Sequence, residues 1–167
     1  MPSRVMLRTP VASDEDEFIA RMRASRGMHR PWLYPPLTWE SYRAYLERIA
    51  GDRHDGFLVC RREDSAIVGW LNVSEIVRGP FQSAYLGYGA VAPFAGRGYM
   101  SEALRLLVRH AFTTMKLHRL EANIQPGNQS SIALVKRCGF EREGYSPRYL
   151  KIGGRWRDHE RWAIRAD

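Results

Sequence analysis

This 167-residue chain has no long hydrophobic run, and that absence narrows its class at once. No apolar stretch approaches the roughly 20 residues that a membrane-spanning helix needs. The opening "MPSRVMLRTP" also has no apolar segment of the kind found in a secretory signal. We therefore expect a cytoplasmic protein that makes no contact with membrane lipid.

Cysteine is nearly absent too. Cys60 and Cys138 are the only two, and each lies in an apolar pattern. This favours small core residues in a reducing compartment over a disulfide. No group of histidines and cysteines has the spacing of metal ligands, so no metal site is predicted.

Aspartate and glutamate, 18 together, are outnumbered by 26 lysines and arginines, which gives a formal net charge of +8. Such a charge suits nucleic acid, a ribosome surface, an acidic membrane or a polyanionic small ligand, and charge alone does not choose among them. Arginines are most crowded in "RYLKIGGRWRDHERWAIR". We interpret most of them as a solvated basic face.

The hydrophobic periodicity predicts the order β-α-α-β-β-β-α-β-α-β-β, an α/β domain built around a mixed sheet. No repeat or linker interrupts it, so residues 1–167 are expected to form a single domain. The segments "GFLVC" and "AIVGWLNVS" should pair as an antiparallel hairpin. The predicted caps and turns are as follows: Ser13 caps the first helix, Thr38 or Ser41 caps the second, a later helix ends at Gly139, and the final hairpin turns at Gly153 and Gly154.

A glycine-rich turn between "YLGYGAV" and a strongly amphipathic helix is the clearest functional signal. The first amides of a helix lack internal partners, and its dipole adds positive potential there, so such a turn is suited to an anion. Gly96 and Gly98 allow the backbone to approach a phosphate closely, and Arg97 adds charge. The lysine of a Walker loop is absent, and Ser101 replaces the third glycine of a dinucleotide fingerprint. Of these three kinds of anion-binding turn, the one that remains is a strand–turn–helix that binds a pyrophosphate.

Several motifs, in the order in which they occur along the chain, support a pyrophosphate-binding turn. "GAVAPFAGRGYMSEAL" resembles the acyl-CoA pyrophosphate loop of the GNAT superfamily of N-acetyltransferases, and "NQSSIALVKRCGF" resembles its second signature. With "VRG", "YLGY", "GFEREGY" and "GGRWRDH", the chain is most similar to the ribosomal-protein alanine N-acetyltransferase branch. The resemblance implies a mostly antiparallel sheet flanked by helices, with a splayed strand pair that holds acetyl-CoA.

The resemblance also implies site residues. The expected cofactor contacts are Gly89, Ala90, Val91, Gly96, Arg97, Gly98, Tyr99, Met100, Ser101, Asn128 and Arg137. A backbone amide near Val91 is expected to stabilise the oxyanion. Three positions depart from the family pattern, namely Ala95 and Met100 in the loop and Tyr85 where relatives often carry glutamate.

Two hydroxyls are the candidate proton donors for the departing thiolate, Ser131 and Tyr149. The alternatives are that Ser131 is only a helix cap and that Tyr149 is only a half-buried strand residue. Glu75 and Asn123 are candidates for ordering a water that relays the amine proton. The acceptor should contact "MHRPWLYPPLTW", where Trp32, Tyr34 and Trp39 are expected to form an aromatic wall.

Three functions remain open at this point. The favoured one is acetyl transfer from acetyl-CoA to a protein N-terminal amine, with the ribosome as an expected partner and a monomer or homodimer as the acting form. The second keeps the chemistry but takes a small amine, such as an antibiotic or a polyamine. The third is a non-catalytic module that binds CoA or RNA.

Overall fold

The computed structural model describes all 167 residues, and its centre is one seven-stranded mixed sheet with helices on both faces. The strands are β1 (Val5–Arg8), β2 (Asp55–Arg61), β3 (Ile67–Val77), β4 (Ser83–Ala90), β5 (Arg119–Ile124), β6 (Glu141–Ile152) and β7 (Arg155–Arg165). The helices are α1 (Glu15–Ala24), α2 (Arg26–His29), α3 (Trp39–Ile49), α4 (Tyr99–Thr113) and α5 (Gln129–Arg137). The predicted order is confirmed, and the short helix α2 is the one addition.

Most of the predicted helix caps and turns are confirmed. Thr38 caps α3 by accepting the Ser41 N–H at 3.2 Å, and Gly139 follows α5 with φ +91°. The cap predicted at Ser13 is wrong, because Ser13 lies inside a 3-10 turn and α1 begins at Glu15. The Asp14 carboxylate organises this turn instead, since it accepts the Val11 N–H at 2.8 Å and also binds the Arg8 guanidinium.

Two hydrophobic cores lie on opposite faces of the sheet. Helices α4 and α5 cover the larger one, and α1 and α3 cover the smaller one. Cys138 is buried in the larger core and Cys60 in the smaller, so both thiols are free, as predicted. None of the helices combines the length and apolarity needed to cross a membrane.

The strand order is β1-β2-β3-β4-β5-β7-β6, and β4–β5 is the one parallel pair. Its ladder runs only from Ser83 opposite Arg119 to Leu86 opposite Ala122. β4 continues to Ala90 and β5 to Ile124, but beyond Leu86 and Ala122 the two strands no longer pair with each other. The two strands therefore part at mid-sheet, which confirms the predicted splayed pair.

Candidate active site

A cavity of about 890 Å³ opens where β4 and β5 part. One side is lined by the turn before α4 and by the start of α5. The other side is lined by residues of α2, β3 and β7 and by the segment that follows α2. No aspartate, glutamate or lysine lines the cavity, and Arg137 is its one permanently charged side chain. The pocket is therefore lined mainly by apolar residues, and no carboxylate is among the polar ones.

The turn before α4 presents backbone donors that have no acceptor within the protein. None of the six N–H groups of residues 96–101 makes a backbone or side-chain hydrogen bond, and the first helical bond runs from Glu102 N to Gly98 O at 3.2 Å. Gly96 and Gly98 hold this shape with φ of +76° and +84°, a region that disfavours side chains. The arrangement is suited to a diphosphate, as residues 96–101 predicted.

Arg97 does not line the cavity, so the expected contact of its side chain with an anion there is not supported. Its carbonyl instead accepts a bond from Arg4 Nη2 at 2.9 Å. Arg4 also donates to the Glu102 carboxylate at 2.6 Å, which ties β1 to the start of α4. The positive charge inside the cavity comes from Arg137, whose Nε lies 3.4 Å from the Ser101 hydroxyl.

The backbone of β4 is divided between its neighbour β3 and the gap. The Val91 N–H donates to Val68 O at 3.1 Å, so this amide is not free for an oxyanion, and the predicted donor near Val91 has to be another residue. The backbone N–H and C=O groups of successive residues point to opposite sides of a strand. Those of Gly89 therefore point toward β3, whereas those of Tyr88 and Ala90 point toward the gap. Of the three residues predicted for this segment, Ala90 alone offers its backbone to the cavity.

Two hydroxyls meet on the α5 side of the cavity. The Tyr88 phenol and the Ser131 hydroxyl are in hydrogen-bond contact. Burial raises the pKa of Tyr88 to about 12, although its bond with Ser131 acts in the opposite direction, so this phenol remains a proton donor at neutral pH. Tyr88 was not singled out from the sequence, although its alternation with Leu86 places it on the face that meets α5.

Asn128, rather than Ser131, caps α5. Its Oδ1 accepts from the Ser131 N–H at 3.4 Å and from the Ser130 hydroxyl at 3.3 Å. The reading of Ser131 as a helix cap is therefore wrong, because its hydroxyl is turned to Tyr88 instead. Asn128 lines the cavity and makes no bond through Nδ2 within the protein, so it keeps a free donor for a ligand amide.

Tyr149 lies beside the cavity rather than in it. Burial and a hydrogen bond involving Tyr85 raise the pKa of Tyr149 to about 12. Tyr85 itself lines the cavity, and the Tyr149 ring meets His159 edge-on with centroids 6.3 Å apart. The structure thus separates the two predicted proton donors, with Ser131 lining the pocket and Tyr149 supporting its wall.

The acceptor side differs in part from the prediction. Trp32 lines the cavity, whereas Tyr34 and Trp39 are exposed and do not, so the predicted aromatic wall reduces to one ring. Glu75 lies outside the cavity and is paired with Arg53.

Asn123 does line the cavity, and its Oδ1 is buried without a hydrogen-bond partner. The same holds for His29 Nδ1 and Trp70 Nε1. An unsatisfied buried polar atom costs about 1–3 kcal/mol, and these three belong to residues that line the cavity, although the atoms themselves are turned away from it.

Two histidines complete the cavity. His29 lies in the segment "MHRPWLYPPLTW" and His159 ends the motif "GGRWRDH", but neither was predicted as a site residue. His29 donates from Nε2 to Ala90 O at 2.6 Å, and burial lowers its pKa. His159 is 2% exposed, its Nδ1 lies 2.9 Å from Arg157 O, and burial lowers its pKa as well. Both rings are therefore neutral at neutral pH.

Known proteins share this architecture. The acetyltransferase (GNAT) domain family matches residues 4–141. A probable N-acetyltransferase of Bacillus subtilis, YjcK, is 38% identical over 120 residues, which are 72% of this chain and 66% of that protein. The [ribosomal protein uS5]-alanine N-acetyltransferase of Escherichia coli is 44% identical over 97 residues, 58% of this chain and 50% of that protein. This chain thus spans about half to two thirds of the length of these curated relatives.

A solved structure extends the likeness to nearly the whole fold. Mycobacterium smegmatis RimJ in complex with CoA-disulfide aligns with a TM-score of 0.89 and 29% identity, covering 97% of this chain and 82% of that one. The splayed strands, the free amides before α4 and the family match over residues 4–141 agree with one another. The chain belongs to the GNAT family of acetyltransferases.

Proposed function

We propose that residues 1–167 form a single-domain, acetyl-CoA-dependent N-acetyltransferase whose acceptor is a protein or peptide N-terminal α-amine. The observation that carries the proposal is the cavity itself. It connects six unpartnered backbone amides at one end with a polar face that contains no carboxylate at the other. The relatives whose names give a ribosomal-protein alanine as the acceptor support a ribosomal acceptor, and with it a cytoplasmic site of action.

The residues at the α4 end fit the cofactor. The amides of residues 96–101 and the Arg137 guanidinium provide donors and charge for a diphosphate. The Asn128 Nδ2, the gap-facing backbone of Tyr88 and the N–H of Ala90 fit the amides of an extended arm, while the Ala90 carbonyl is bonded to His29. Bound there, acetyl-CoA supplies an activated acyl thioester.

The absence of a carboxylate from the lining favours one class of acceptor. A lysine side chain has a pKa near 10.4 and an α-amine one near 7.7–8.0, so making the lysine neutral at pH 7 costs about 3 kcal/mol more. A polyamine also carries several positive charges, and the cavity offers no negative charge to meet them. An N-terminal α-amine requires neither strong base nor anionic walls.

The thiolate leaving group needs a proton, and the pair of hydroxyls can deliver one. The Tyr88 phenol is protonated at neutral pH and contacts the Ser131 hydroxyl, which also lines the cavity. A proton released from either oxygen is replaced from the other. This assigns Ser131 and Tyr88 together to the donor role, and it gives Tyr149 the task of packing against Tyr85 and His159.

The test uses the whole chain with acetyl-CoA and a panel of acceptors. Peptides that begin with alanine are compared with the same peptides blocked by N-acetylation, with a blocked peptide containing lysine, and with spermidine, while thiol release and product mass are followed. We expect release with free N-termini only. Faster turnover of spermidine would establish a small-amine enzyme, and no release with any acceptor would establish a binding module.

A further inference from the structure

One of the titratable side chains that line the cavity is in a position to accept a proton from the acceptor. The set consists of His29, Tyr85, Tyr88, Tyr99, Arg137 and His159. Guanidinium and phenol groups are protonated near neutral pH and do not act as bases there. The choice therefore lies between the two histidines.

The Nε2 proton of His29 is already used in a hydrogen bond within the protein. Its Nε2 faces a carbonyl oxygen, Ala90 O at 2.6 Å, and a carbonyl can only accept, so Nε2 carries the ring proton. The remaining lone pair is on Nδ1, which is buried without a partner and sealed from the cavity. A buried Nδ1 is not placed to take a proton from an amine bound in the cavity.

His159 has the opposite arrangement. Its Nδ1 faces Arg157 O at 2.9 Å and so carries the proton, which leaves the lone pair on Nε2. Nε2 has no partner within the protein and is not among the sealed atoms, while the residue lines the cavity. On the adjacent strand Asn123 pairs with Arg161, which makes His159 a diagonal neighbour of Asn123 on the same sheet face.

We propose that His159 is the catalytic base, whose Nε2 takes the proton from the acceptor amine. This inference rests on the proposed function. The amine nitrogen forms a bond to the thioester carbonyl carbon, its proton passes to Nε2, and the C–S bond breaks. The sulfur leaves with a proton from the Tyr88–Ser131 pair. The imidazolium then loses its proton to solvent and the Tyr88–Ser131 pair regains one from solvent, which restores both groups and leaves an N-acetyl product and a free thiol.

The surroundings of His159 keep the ring available for this role. Burial lowers its pKa, whereas its bond to Arg157 O and the nearby Asp158 carboxylate act in the opposite direction. Asp158 is held by the Tyr145 phenol at 2.6 Å, and the Arg161 guanidinium donates to Ser146 Oγ at 3.0 Å.

The uncharged groups near the ring are the Tyr149 ring of β6 and Asn123 and Gln125 from β5. Arg157 is a charged neighbour, two residues before His159 on the same face of β7, and its Nε is buried without a hydrogen-bond partner. A positive charge there also favours the neutral form of the ring. The neutral form of His159 therefore predominates at pH 7.

The direct test is His159→Asn, because the asparagine amide can still donate to Arg157 O from the position of Nδ1 but offers no basic nitrogen. We expect kcat/KM with an alanine-starting peptide to fall by about 10²–10⁴-fold, with CoA affinity within about twofold of wild type and partial rescue by added imidazole. The exposed His118, converted to asparagine, is the matched control. An unchanged rate with folded His159→Asn protein overturns the proposal.

The wild-type enzyme gives a second test that does not depend on how any variant folds. Both the amine and His159 must be deprotonated, so log(kcat/KM) should rise with a slope of 2 at acidic pH and a slope of 1 between the histidine and amine pKa values. A slope of 1 throughout overturns the inference while leaving the proposed function intact. Failure of wild type to acetylate any amine would overturn the proposed function instead.

Discussion

Converting Gly96 to aspartate and, separately, to asparagine tests whether the turn before α4 holds a diphosphate. The two side chains have nearly the same size, and both tolerate positive φ better than most residues, so the backbone strain at φ +76° is shared. A Cβ at Gly96 meets nothing within 4 Å, so neither variant has to displace a neighbour. Gly98 is a poorer position, because a Cβ there would lie 3.1 Å from Arg4 Nη2 and a new carboxylate would pair with it.

The charge effect can be estimated from Coulomb's law. At about 5 Å in a water-like dielectric, one charge pair is worth about 0.8 kcal/mol, and a diphosphate carries about two charges. Gly96 is exposed, so the water-like value applies. We expect the aspartate variant to bind CoA about 1–2 kcal/mol more weakly than the asparagine variant, which is about 5–30-fold in Kd.

The assay is calorimetric titration with CoA at low and high salt. At about 1 M salt the screening length shrinks to about 3 Å, so the difference between the variants should largely disappear. S-acetyl-pantetheine lacks the diphosphate and should bind both variants equally. Equal CoA affinity of the two variants at low salt, with both folded, would refute the placement of the diphosphate at this turn.

Three further outcomes follow from the contacts around β4. Gly89→Ala should lower the free energy of unfolding by about 1–3 kcal/mol, because the new Cβ would lie 2.7 Å from the Trp70 ring, whereas Gly87→Ala meets nothing within 4 Å and should keep its Tm. Equal melting of the two would contradict this packing. Tyr88→Phe should slow turnover about tenfold or more and leave CoA affinity within about twofold, since it removes only the hydroxyl that contacts Ser131; unchanged kcat would exclude the donor role. The folded-state pKa of Tyr88 is raised from 10.0 to about 12, so its contribution to stability is complete below pH 10 and is lost as the pH rises to about 12. Wild type should therefore lose more stability than Tyr88→Phe in this window, as measured by urea unfolding, and parallel curves would contradict the shift.

The cofactor end could be predicted from the sequence because its chemistry is local. A strand, two glycines and an amphipathic helix within about 30 residues already place free amides at a helix start. The details that failed depend on neighbours distant in the chain. The Val91 N–H is bonded to Val68 O across the β3–β4 ladder, and Arg97, whose carbonyl is bound by Arg4 from 93 residues earlier, does not line the cavity. Neither the strand register nor this long-range contact can be read from the local motif.

The acceptor end shows the same limit more strongly, because no short motif spans it. His29 reaches the cavity by a bond to Ala90, 61 residues away. His159 is brought beside Asn123 only through the β5–β7 register. Both histidines lie in segments that the sequence singles out, but nothing local to those segments indicates that the two rings reach one cavity. The family carboxylate is replaced by Tyr85, yet a neutral imidazole with a fixed tautomer stands on the same face of the sheet. Under the proposal that His159 is the base, the base lies on another strand while the cavity is preserved, since proton transfer depends on where the lone pair lies and not on which strand carries it.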